Sequence, residues 1–99
     1  MLPIKRFVVE GHSMEPLIKG GQGVLINRFA YLFSQPKVGD IVALKAPRRP
    51  NKLLLKRVEK ALEGNRYIVV GINKVDSTDS RQFGWVSSKD ILGKIWLKY

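Results

Sequence analysis

Apolar and β-branched residues occur in this chain in runs of four to seven, each closed by a turn signal, and no stretch sustains the period of a long helix. A chain written this way buries itself only by laying short strands together. The expected strands are residues 5–10, 23–27, 40–45, 52–60, 66–70 and 93–97, separated by Gly20-Gly21, residues 36–40, residues 47–51 and Glu63-Gly64-Asn65. Helix should be confined to single turns after Ser13, over 29–33 and over 87–90, where Ser87 can cap. Ninety-nine residues hold one hydrophobic core rather than two. The expectation is a mainly β fold with one small domain over residues 1–99, a partly closed barrel or sandwich of short antiparallel strands.

Hydrophobic residues make up 44% of the chain and charged residues 26%, the balance of a globular protein rather than a disordered one. There is no cysteine, which excludes disulfides and thiolate metal sites, and no metal or cofactor is expected. No apolar run approaches the roughly 20 residues that span a bilayer. The start, Met1-Leu2-Pro3-Ile4-Lys5-Arg6, lacks the apolar stretch that follows the basic residues of a secretory signal, so a cytoplasmic protein is expected. Eighteen Lys and Arg against eight Asp and Glu give a net charge of +10. That charge favours polyanions and makes peripheral contact with an anionic membrane surface the alternative. A basic β-barrel that binds nucleic acid would explain it too. The aromatic residues are not arranged around Arg48 and Arg49 in any RNA-binding pattern, however, and no nucleic acid is expected.

Three segments carry side chains that can do chemistry. In Gly11-His12-Ser13-Met14-Glu15-Pro16-Leu17 a serine follows a strand on a backbone bent by glycine and proline, which can lift its hydroxyl out of the core. The same residues also read as a capped turn. In Leu53-Leu54-Leu55-Lys56-Arg57-Val58 alternation carries either Lys56 or Arg57 to the apolar face, and the residues alone do not choose between them. An ordinary lysine, with a pKa of about 10.4, is neutral in only about one molecule in 10³ at neutral pH, so desolvation is what would make it a base. The third segment, Gly71-Ile72-Asn73-Lys74-Val75-Asp76-Ser77-Thr78-Asp79-Ser80-Arg81-Gln82-Phe83-Gly84, is too polar for a strand. It reads as an ordered loop tied by side-chain bonds, in which Asp79 and Arg81 can pair, or as a plain surface loop of Asx-turns. It lacks the glycine and terminal glutamate of a calcium loop.

Together these segments resemble, in order and content, the boxes of the type I signal peptidases. The matching residues are Ser13-Met14-x-Pro16-Leu17, then Val38-Gly39-Asp40-Ile41-Val42, then Lys56-Arg57-Val58, and last Gly71-x-Asn73 followed by Ser77-x-Asp79-Ser80-Arg81 and Gly84. The resemblance runs from about Val8 to Leu97. It implies a mainly β serine endopeptidase with a Ser-Lys dyad, in which Ser13 is the nucleophile and Lys56 the general base. It implies further that Ser77 orients the lysine, that Asp79 and Arg81 form the ion pair holding the loop, and that Met14 lines the substrate groove. A Ser-Lys pair is a recognised alternative to Ser-His-Asp. His12, the only histidine, is set aside as a base because neighbours on extended backbone point to opposite faces.

Two residues depart from the family's pattern. Gly11 stands where many members have a hydroxyl that helps bind the oxyanion, so the hole would rest on backbone N–H groups, that of Ser13 among them. Ile72 stands where an aspartate is usual. The chain also lacks the membrane anchor and the large second β-domain of the bacterial enzymes that process secreted proteins. It looks most like the compact, anchorless branch typified by maturation of nickel-type superoxide dismutase, which trims a leader to expose a metal-binding N-terminus. The implied partner is a leader-bearing precursor protein, and general processing of exported proteins is the alternative. Self-cleaving SOS repressors use a related dyad behind a helix-turn-helix segment for which this chain has no room. An inactive scaffold would have no reason to keep Ser13 and Lys56 together.

Overall fold

Residues 4–9, 14–32, 34–46, 49–72 and 84–98 are described by a computed structural model, with backbone alone for 46, 49–52, 97 and 98. Among them the chain forms β1 (Ile4–Val8), β2 (Gly23–Asn27), β3 (Ile41–Ala46), β4 (Arg49–Leu62), β5 (Arg66–Val70), β6 (Val86–Ser87) and β7 (Ile91–Lys98), with one 3-10 turn over Ser88–Asp90. The strands make a single seven-stranded sheet in the order β1-β2-β7-β3-β4-β5-β6, curled into a half-barrel. Every described pairing is antiparallel. The mainly β expectation holds, and the expected single turns are there at 14–17, at 28–31 and at Ser88–Asp90, where the Ser87 hydroxyl accepts from Lys89 N–H.

β3 and β4 are buried on both faces, which is why Ile41-Val42-Ala43-Leu44 and Leu53-Leu54-Leu55 read as unbroken apolar runs rather than alternating ones. Ala43 lies opposite Leu55 on one face, while Val42 lies opposite Lys56 and Leu44 opposite Leu54 on the other. The first face packs with Val24 and Ile26 of β2 and is covered by Met14 and Ile18 from the β1–β2 excursion. That excursion is closed at its base by Val9 N–H to the Gln22 carbonyl at 2.9 Å and Gly21 N–H to the Val9 carbonyl at 2.7 Å. The second face packs with Val58, Tyr67, Val69 and Val86, and Tyr31 from the β2–β3 connection leans on it. Each fully buried Val, Leu or Ile contributes about 1.5–3 kcal/mol, so the two clusters are the main source of stability in a chain without cross-links.

β4 begins earlier than expected, at Arg49, inside the segment 47–51 read as a turn, rather than at Lys52. The register jumps between Lys45↔Leu53 and Ala46↔Arg49, so Pro50, which has no N–H to give, falls where no β3 partner is needed. At the other end Leu62 pairs with Arg66 across Glu63-Gly64-Asn65, where Gly64 and Asn65 both take positive φ (76° and 57°). β6, only two residues long, was not anticipated because two residues cannot display a period.

Candidate active site

Lys56 is presented by the middle of β4 at 2% exposure, the one charged side chain buried to that degree among the described residues. Its cross-strand partner on β3 is Val42, and Leu54 and Val58 flank it two places along on the same face. Arg57 leaves the strand on the other side and is half-buried. The choice that alternation left open therefore falls to Lys56 as the inward residue.

Ser13 lies outside the described residues, as do Gly11, His12, Ser77, Asp79 and Arg81. Their chain neighbours are described. Met14 is 1% exposed, and its carbonyl accepts from Ile18 N–H at 2.9 Å, which turns the chain sharply after position 13. Met14 sits in the same buried cluster as Leu55, and Ile72, next to Asn73, packs against that cluster. Residues adjoining the serine, the lysine and the polar loop thus meet on the Leu55 face of β4, drawn from β4 and the connections after β1 and β5, while the Lys56 side chain leaves on the Val42 face. Ile72 fills this place with apolar packing where an aspartate would need polar partners. Met14, expected to line a groove, is a core residue here.

Asp40 organises a second constellation that sequence reasoning passed over. Its carboxylate accepts from the Tyr31 hydroxyl at 2.8 Å and from Lys37 N–H at 3.0 Å, and Lys94 Nζ lies 3.4 Å away. Partial burial opposes the charge on Asp40, but the Lys37 N–H, the Tyr31 hydroxyl and Lys94 outweigh it and hold the carboxyl below its ordinary value. Burial, together with the hydrogen bond to Asp40 and its negative charge, pushes the Tyr31 phenol above its ordinary value. The backbone of this residue is tied to β4 as well, through Val58 N–H to the Asp40 carbonyl at 2.8 Å and Gly39 N–H to the Val58 carbonyl at 2.9 Å. Asp40 therefore fixes where β3 meets β4, two residues from Lys56. The Val-Gly-Asp box was the available signal; the roles of Tyr31 and Lys94 were not legible, since neither belongs to a motif.

The family described as signal peptidase, peptidase S26, matches residues 1–66 and 58–99, the whole chain. The inactive signal peptidase IA of Staphylococcus aureus is 25% identical, over all of this chain and 83% of that protein. The mitochondrial ATP-independent inner membrane protease subunit 1a of Arabidopsis thaliana is 30% identical over 91% of this chain and 67% of its own length. The signal peptidase I of Aquifex aeolicus is 33% identical over 52% of this chain and 20% of its own length.

Proposed function

We propose that this chain, which belongs to the signal peptidase (peptidase S26) family, is an active serine endopeptidase that removes the leader from a precursor protein. The carrying observation is the buried Lys56 on β4, one residue along from Leu55, whose cluster takes in Met14 and Ile72, the chain neighbours of Ser13 and of the polar loop. Burial against Val42, Leu54 and Val58 disfavours the ammonium form, so the amine is available to take a proton.

In this reading Ser13 Oγ attacks the scissile carbonyl carbon as its proton passes to Lys56 Nζ. The oxyanion is met by the backbone N–H of Ser13. Collapse breaks the C–N bond, and Lys56 returns the proton to the departing amine. Water then attacks the acyl-serine, with Lys56 again the base, which frees the leader and restores the hydroxyl. Ser77 orients the lysine, and the Asp79–Arg81 pair holds the loop that carries it. The dyad asks for no metal or cofactor.

The substrate we favour is the precursor of a nickel-type superoxide dismutase, on the likeness of Ser77-Thr78-Asp79-Ser80-Arg81-Gln82-Phe83-Gly84 to that branch. Some relatives are named inactive, but retention of both Ser13 and Lys56 supports activity here. Incubation with leader-bearing precursors, followed by mass spectrometry of the new N-terminus, tests this. Wild-type protein is expected to expose a metal-binding N-terminus, while Ser13→Ala and Lys56→Arg, folded by circular dichroism, lose cleavage by on the order of 10⁴-fold or more, since guanidinium is no base near neutral pH. Cleavage that survives in either variant would overturn the dyad. Cleavage of an exported precursor instead would replace the favoured substrate and leave the dyad standing.

A further inference from the structure

We propose that the cleft between residues 28–37 and β7 binds the headgroup of an anionic phospholipid and seats this protein on an acidic bilayer surface; the inference is independent of the catalytic reading. The cleft holds a cavity of about 560 Å³, lined by Asn27, Tyr31, Gln35, Lys37, Lys94 and Trp96. Lys94 and Trp96 of β7 both line it, and the register Asn27↔Lys94 puts the asparagine beside the lysine. Asp40 also borders the cavity, but its carboxylate is already engaged by Tyr31, Lys37 N–H and Lys94. With two lysines to one carboxylate, in a chain of net charge +10, the cleft favours an anion.

What distinguishes a bilayer from other anions is the exposed apolar material on the turn that follows Asn27 and on β7. Phe29 and Leu32 are held at a turn by Phe29 N–H to Asn27 Oδ1 (2.9 Å) and Leu32 N–H to the Phe29 carbonyl (3.2 Å). They are 46% and 62% exposed, and Trp96 on the opposite wall is 62% exposed. Lys89 lines the adjoining cavity alongside Leu32 and adds another cation. Exposed apolar side chains beside a cationic recess match the layering of a membrane interface, where acyl chains take the apolar side chains, tryptophan sits at headgroup depth and lysines meet phosphate. An acidic polypeptide would satisfy the lysines and leave Phe29 and Leu32 in water.

Flotation with phosphatidylcholine vesicles, with and without phosphatidylglycerol, tests the site. Binding is expected only with phosphatidylglycerol and should fall as salt rises. In a Trp85→Phe background the Trp96 emission should shift to the blue on those vesicles. Lys37→Glu, at an exposed position, and Leu32→Ser should each weaken binding by about tenfold while thermal unfolding stays unchanged. Equal binding to neutral vesicles, no binding, or binding indifferent to both substitutions would overturn the proposal. So would saturation of the cleft by glycerol 3-phosphate, or by polyglutamate, in a protein that does not float with vesicles.

Discussion

A lysine buried in a strand gives up several kcal/mol of ammonium solvation, a cost to the fold that its contacts must offset. If Lys56 serves chemistry rather than stability, Lys56→Met, which fills the same volume without the charge, is expected to match or raise the melting temperature while cleavage disappears. Calorimetry beside a cleavage assay checks both halves, and a large fall in melting temperature would mark the lysine as structural. Asp40 has the opposite character. Because its folded carboxyl titrates below its ordinary value, its contribution is complete above about pH 4, the ordinary range of a carboxyl, and is lost as pH falls through the lower folded value. Tyr31, raised in the folded state, contributes fully below about pH 10 and loses that contribution as pH climbs further. Urea unfolding across pH should therefore show an acid limb that Asp40→Asn flattens and an alkaline limb that Tyr31→Phe flattens, with each variant about 1–3 kcal/mol less stable at neutral pH.

Among the elements, β2 and β5 were legible to the residue because glycine or a turn triplet brackets each run, whereas β4 was not. Its start at Arg49 depends on a register jump against β3 that no single segment displays. Alternation failed to separate Lys56 from Arg57 for the same reason that β3 and β4 read as unbroken: both faces of these strands are buried. Of the glycines at 21, 39, 64, 84 and 93, Gly93 of β7 has the least room for a side chain. A Cβ on Gly93 would stand 2.5 Å from the Asn27 carbonyl oxygen and 2.9 Å from the Ile26 side chain, where β2 and β7 close on each other beside a register shift. Gly93→Ala is expected to cost about 2 kcal/mol or more in urea unfolding, since backbone must move. Gly21→Ala, at φ +86° with open space around it, should cost only about 1 kcal/mol of backbone strain.

Taken whole, the sheet is held together by its last strand, for β7 lies between β2 and β3 and joins the N-terminal pair to the rest. Removal of residues 91–99 should abolish the cooperative thermal transition seen by circular dichroism rather than lower its midpoint. A residual sharp transition would mean that β3, β4 and β5 fold without it. The candidate site is similarly distributed. Its motifs could be read from the chain because each has a local spacing, but which face Lys56 takes, and how Tyr31 and Lys94 converge on Asp40, are decided by pairing between distant segments. The most direct measurement is a crystal structure in which Ser13 Oγ and Lys56 Nζ are both resolved. The predicted result is a separation of about 2.6–3.2 Å, or a single bridging water, with the amine on the Val42 side of the sheet. A separation too long for one bridging water would contradict the Ser-Lys dyad.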